Sequence, residues 1–147
     1  MSGYRTVVVG TDGSETSFRA VDRAARVAAD SDATLVIACA YLPEQPDQRA
    51  QDVLGDEAYQ IMGSAPAEDS VGRARDRAVS AGATKIETEA VQGKPVDALI
   101  KLAESRSADL LVIGNRGLNT LAGRLVGSVP LDVIRNAPVD VLVVHTT

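Results

Sequence analysis

The sequence predicts an α/β fold: a three-layer open sandwich whose five-stranded parallel sheet, of order 3-2-1-4-5, carries helices on both faces. Three observations predict it. Short apolar runs alternate with segments of helical periodicity along the 147 residues, which implies right-handed crossovers and a parallel sheet covered on both sides. The runs at 6–10, 35–40 and 110–113 are apolar nearly throughout, whereas 85–91 alternates; central strands buried on both faces read the first way and an edge strand the second. The fourth run empties into Gly114-Asn115-Arg116-Gly117, and after nine intervening residues Gly127-Ser128 follows at a helix start. Glycines after a strand let the backbone approach an anion, and the first N–H groups of a helix point at it unpartnered. That corner therefore points to a nucleotide-type ligand.

Each element can be justified in turn. Thr6 to Gly10 is a buried strand, and Thr11-Asp12-Gly13-Ser14 is a turn. Asp12 or Ser14 can cap the helix that follows, and Asp12 with Glu15 has capping-box spacing. The helix runs to about Asp30, with Phe18, Val21, Ala25 and Ala28 on one face and Arg19, Arg23 and Arg26 away from it. Leu35 to Ala40 is the second strand. Residues 42–66 hold Pro43, Pro46, Gly55, Gly63 and Pro66 among many Gln, Asp and Glu. The stretch is too long for an ordinary connection and reads as a mobile insert, a candidate lid, within a single domain spanning 1–147.

A helix from about Ala67 to Ala81 ends at Gly82, a suitable residue just past a C-terminus. From Lys85 to Val91, Ile86, Thr88 and Ala90 face one way and Lys85, Glu87 and Glu89 the other, and charges on an edge discourage mispairing. Arg73, Arg75 and Arg77, with Glu68, Asp69 and Asp76 nearby, read as a solvated helix face. Pro95 opens the next helix, where Val96, Leu99, Ile100 and Ala103 form a stripe. The strand 109–113, the glycine corner, a helix from about Ser128 to Asn136 and a last strand, Val139 to Val144, complete the chain. That last strand lies at the second edge yet is almost wholly apolar, and an exposed edge of that kind is sticky. It is expected to pair with its own copy in a symmetric homodimer.

Composition narrows the function. The hydrophobic content of 45% can fill a core, and with aromatics at 3% that core must be Val, Leu, Ile and Ala. A net charge of −5 speaks against nucleic acid or an anionic membrane as partner. Cys39 and His145 are the single cysteine and histidine, so neither an internal disulfide nor a His/Cys zinc cluster can form. Cys39 reads as an inert core residue and His145 as a tail residue. No signal-peptide-like or membrane-length apolar run is present, so a cytoplasmic location is expected.

In a sheet of this order the ligand crevice lies between strands 1 and 4, above their C-terminal ends. Gly10-Thr11-Asp12-Gly13 and Gly114 to Ser128 meet there. Gly114 and Gly117 can be read as turn residues alone, Arg116 as a loop charge, Asp12 and Ser128 as helix caps. The paired glycines followed by Gly127-Ser128 favour a phosphate site, and a capping hydroxyl can also face phosphate. The chain has no G-x-x-x-x-G-K-[ST], no G-x-G-x-x-G and no G-x-S-x-G. Nothing places a general base beside a nucleophile, so binding is favoured over catalysis and the chain is not read as an enzyme.

Gly114, Gly117, Gly127 and Ser128 match the G-x2-G-x9-G-[ST] pattern of ATP-binding members of the universal stress protein family, which this chain resembles. Val7-Val8-Val9-Gly10-Thr11-Asp12-Gly13-Ser14-Glu15 resembles that family's first strand and turn, and Ala137 to Val144 its last strand. The similarity covers the chain apart from 42–66 and looks closest to small mycobacterial-type members, some of which bind cyclic AMP. The resemblance implies the five-stranded sandwich, a dimer through the last strand, and an adenine nucleotide, cyclic AMP or ATP with or without magnesium, bound to sense or buffer it in stress response or signalling. Thr11 and Asp12 would meet base or ribose, Ala40 would line the adenine pocket, Gly114 and Gly117 would pass close to ribose and phosphates, and Gly127, Ser128 and Val129 would hold phosphate oxygens. Two positions depart from the pattern. Gly10 stands where many members have Pro, a change expected to matter little. Pro130 stands where many ATP binders have a small hydroxyl residue, and it removes one N–H and one hydroxyl from the phosphate site. The residues thus favour a short phosphate over a triphosphate. A slow magnesium-dependent ATPase or autophosphorylating enzyme using Asp12, and a ligand-free interaction module, are the alternatives.

Overall fold

The computed structural model describes residues 3–43, 64–115 and 133–146. β1 (Thr6–Gly10), β2 (Thr34–Tyr41), β3 (Lys85–Gln92), β4 (Leu110–Gly114) and β5 (Asp140–Val144) form one sheet of order β3-β2-β1-β4-β5. All four pairings are parallel, as the alternation of strands and helices requires. Val7, Val8 and Val9 are wholly buried, as are Leu35, Ile37, Leu111, Val112 and Ile113.

Alternate strand residues feed two cores. On one face Val7, Val9, Leu35, Ile37, Cys39, Leu110 and Val112 pack beneath α1 (Glu15–Ser31) and α2 (Ser64–Ser80). On the other, Val8, Val36, Ala38, Leu111 and Ile113 meet Leu99, Leu102 and Ala103 of α3 (Pro95–Ser105), with Val133 from the helical turn 133–136. Small alanines bring α1 close to the sheet, where Ala20, Ala24 and Ala25 are wholly buried.

Several boundaries differ from expectation. α1 continues to Ser31 and ends with Asp32 in the left-handed conformation (φ 54°), its N–H returned to the carbonyls of Ala28 and Ala29. Aspartate tolerates that conformation without glycine. α2 starts at Ser64, so 64–66 of the expected insert are helical. Pro66 fits because the first helical turn leaves its N–H groups unused in any case. Residues 44–63 of the insert lie outside the described residues. Gly82 takes φ +110° after α2, as expected.

Arg73 and Arg75 of α2 are exposed as expected, Arg73 pairing with Asp69 one turn away at 3.2 Å, but Arg77 departs from a solvated face. Arg77 reaches across to α1, with Nη2 2.7 Å from Asp22 Oδ2 and Nη1 3.2 Å from Glu15 Oε2. Arg73 and Arg77 both lie over the ring of Phe18, at 5.9 and 5.6 Å from its centroid. On edge strand β3, Arg106 from the end of α3 pairs with both Glu87 and Glu89, which neutralises two of the edge charges. At the opposite end of the sheet the Asp109 carboxylate accepts from the main-chain N–H groups of Arg5 and Thr6, fixing the start of β1 against β4.

Candidate functional site

β1 stops at Gly10 while β2 continues to Tyr41. This difference in length opens a cleft above the C-terminal ends of β1 and β2, whereas the crevice was expected between strands 1 and 4. Gly10, Thr11, Ala38 and Ala40 line it from the strands, and Pro95 and Leu99 from α3. About 210 Å³ of space lies within it and its open mouth together. Its walls are short and apolar, which suits a flat ring more than a charged group.

The strand edge in the cleft has hydrogen-bonding capacity. Thr11 N–H donates to the Ala38 carbonyl at 2.9 Å, and beyond that no main-chain bond joins the two segments among the described residues. Main-chain groups of alternate strand residues point to the same side, so Ala40 turns its N–H and carbonyl toward the gap that β1 leaves. Only the long Cys39 Sγ contact, 3.8 Å, reaches the Ala40 carbonyl among the described residues. Tyr41 faces β3 instead, its carbonyl accepting from Gly93 N–H at 2.8 Å. One donor and one acceptor side by side on a strand edge can read the edge of a heterocyclic base.

The turn 11–14 is held rigidly from inside. Thr11 is 2% exposed, with its hydroxyl 2.6 Å from the Ser17 hydroxyl and accepting from Gly13 N–H at 3.1 Å. Gly13 has φ +86°, and a Cβ there would fall 2.5 Å from Ser70 Oγ, so glycine is required both by conformation and by space. Ser14, not Asp12, caps α1: its hydroxyl accepts from Ser17 N–H at 3.1 Å. The Asp12–Glu15 capping box is therefore not made. Asp12 Oδ1 accepts from Ser14 N–H at 2.9 Å, closing an Asx turn, and Oδ2 has no partner among the described residues.

Cys39 lies wholly buried beneath this turn. Burial, then the nearby charge of Asp12, pushes its thiol up to about 12, against a smaller opposing hydrogen bond from Ser70. It is an unreactive core thiol, as the sequence suggested.

Gly114 closes β4 beside Val144 of β5. Asn115 then turns back: its N–H donates to the Val144 carbonyl at 2.9 Å, and its Oδ1 accepts from the N–H and the hydroxyl of Thr146. Arg116, Gly117, Gly127, Ser128 and Val129 lie outside the described residues. Among the described residues no group of three or more His, Cys, Asp or Glu is placed to hold a metal ion, and no helix is long and apolar enough to cross a membrane.

Residues 3–145 match the universal stress protein family. The chain belongs to that family. A universal stress protein of Mycobacterium tuberculosis strain H37Rv, Rv1636, is 58% identical over 147 residues, covering all of both chains. A putative universal stress protein of Staphylococcus aureus strain USA300 is 33% identical, covering 99% of this chain and 87% of the other. Among solved structures, a universal stress protein in complex with cAMP is 58% identical with a TM-score of 0.79, covering 99% of this chain and 100% of that one.

For a universal stress protein of this kind, the structure brings Gly10, Thr11 and Ala40 to one cleft with Asp12 at its rim turn, and ends β4 at Gly114. Sequence reasoning missed Ala38, Pro95 and Leu99. Ala38 sits in an unbroken strand run, and Leu99 in an ordinary helical stripe, so neither carries a local signal. Pro95 reads as a helix start, which it is.

Proposed function

We propose that this universal stress protein binds an adenine nucleotide, with the base in the cleft between β1, β2 and α3 and the phosphate toward the Gly114 corner. The observation that carries the reading is the apolar cleft above the ends of β1 and β2, next to the β1–β4 switch point, edged by the N–H and carbonyl of Ala40, which have no main-chain partner on that side among the described residues. A relative 58% identical was crystallised with cAMP. The base edge would meet Ala40, the Asp12 carboxylate would accept from ribose, and Gly114, Arg116, Gly117, Gly127, Ser128 and Val129 would serve the sugar and phosphate. Pro130 brings no N–H to the phosphate site, so the site favours cyclic AMP, with its single negative charge, over ATP. Magnesium is not required for a ligand that presents so little charge. The protein acts by binding without turnover, buffering or sensing the nucleotide in the cytoplasm.

A second copy completes the assembly. Val141, Leu142 and Val143 of β5 stay only half-buried in the single chain, and pairing with the same strand of another copy would cover them. Sedimentation at micromolar concentration should give a dimer.

Competition calorimetry tests the ligand. Cyclic AMP should bind at least as tightly as ATP, and ATP binding tenfold tighter, about 1.4 kcal/mol, would overturn the preference. Steady ADP release that disappears in Asp12→Ala would instead establish an ATPase. An isotherm without any nucleotide binding would leave an interaction module.

A further inference from the structure

We propose that Leu99 sets the depth of the base slot, and that Gly10 is the residue that admits it. The inference rests on the adenine-binding reading above. Gly10 closes β1 at the floor of the cleft, and Leu99 reaches it from α3. A Cβ on residue 10 would stand 2.7 Å from Leu99 Cδ1 and 3.2 Å from Cδ2, but 3.5 Å from Cγ. The branched tip of Leu99 thus occupies the space where any other residue at position 10 would begin. The φ of Gly10 lies outside the left-handed range, so glycine is needed here for space and not for backbone freedom.

The direction of any adjustment follows from the packing. Leu99 is 2% exposed and belongs to the buried cluster that holds Val8, Val36, Ala38, Leu102 and Ala103. A core packed to crystal-like density cannot take up a displaced methyl. The space beside Leu99 that is open is the cleft. A side chain at residue 10 therefore drives the leucine tip into the slot meant for the base, and the Gly10–Leu99 pair fixes how thick a ring can enter. Valine at 99 has no δ carbons, so it removes both close approaches and leaves the helix face apolar.

The test is a two-residue cycle read by calorimetry with cyclic AMP as the probe, with thermal melts run alongside to confirm folding. Gly10→Ala should weaken binding at least tenfold. Leu99→Val in the wild-type background should weaken it about threefold, through lost contact with the base. In the Gly10→Ala background the same Leu99→Val change should strengthen binding at least fivefold. That reversal of sign is a readout that lost stability alone does not produce. Gly10→Ala binding within threefold of wild type, or Leu99→Val weakening binding in both backgrounds, overturns the pairing while the nucleotide reading stands. Wild-type protein that binds no nucleotide removes both, and does so at the first step of the cycle.

Discussion

Asn115 Oδ1 accepts two hydrogen bonds from Thr146, one from its main-chain N–H and one from its hydroxyl, each 2.9 Å long. Thr146 is fully buried although it is the next-to-last residue, and its carbonyl accepts from Arg19 Nη1 of α1 at 3.2 Å. The tail thereby ties the first residue after β4 to both β5 and α1. Removing the Asn115 amide leaves two buried donors unsatisfied, at about 1–3 kcal/mol for such a group. Asn115→Ala should lower stability by about 2–3 kcal/mol in denaturant melts, and Thr146→Val, which loses the hydroxyl bond alone, by about 1 kcal/mol. Equal melting points for wild type and Asn115→Ala would mean that the tail is not held this way in solution. Because Asn115 adjoins Gly114, its variant should also bind nucleotide more weakly than Thr146→Val does.

Arg77 joins α1 to α2 through Asp22, Glu15 and the Phe18 ring. Its side chain is 38% exposed, so its ion pairs are partly screened and worth well under a buried pair. The stacked, forked geometry adds to them. Arg77→Leu should cost about 1–2 kcal/mol, and Arg77→Lys nearly as much, since an ammonium cannot span both carboxylates and lie flat on the ring. Raising salt to 1 M should shrink the difference from wild type. A lysine variant as stable as wild type would show that charge alone mattered.

The fold was legible because its signals are local. Unbroken apolar runs mark the central strands, the Lys85-Ile86-Glu87-Thr88-Glu89 alternation marks the edge, and Gly82 and Pro95 punctuate the helices. What sequence reading missed is nonlocal. The partners of Arg77 come from another helix, while Glu68, Asp69 and Asp76 on its own helix suggest a solvated face. Asp12 and Ser14 compete for one cap, and the choice depends on Asp12 closing an Asx turn that leaves Ser14 at the helix start. Pro66 looks like a breaker until its place in a first turn is known. The cleft was half legible: Gly10 and Thr11 follow from where the first strand ends and Ala40 from the family resemblance, but Leu99 looks like any core leucine until α3 is laid against β1.

Asp109 anchors the other end of the sheet. Its two oxygens accept from Arg5 N–H at 3.2 and 3.0 Å, and Oδ1 also from Thr6 N–H at 3.0 Å. Asp109→Ala should cost about 1–2 kcal/mol, because the exposed start of β1 can turn to water. The site lies at the opposite ends of these strands, so cyclic AMP affinity should stay within about twofold of wild type. A larger loss of affinity than of stability would mean that β1 shifts along its whole length.

Cys39 makes the protein sensitive to alkali in a defined direction. Its thiol is raised from 9.0 to about 12 by burial first and by Asp12 second. Above pH 9 the unfolded chain loses this proton while the folded chain keeps it, so the unfolded state binds fewer protons and stability falls as pH rises. The thiol's stabilising share is fully present below pH 9 and declines from there toward pH 12. Cys39→Ser keeps the size but not the acidity, so between pH 9 and 10.5 its unfolding free energy should fall less steeply than that of wild type. The same burial predicts that a thiol reagent at pH 8 labels the native protein only at the rate at which it opens, and labels it at once in denaturant. Parallel pH slopes for wild type and Cys39→Ser, together with rapid native labelling, would place Cys39 within reach of water.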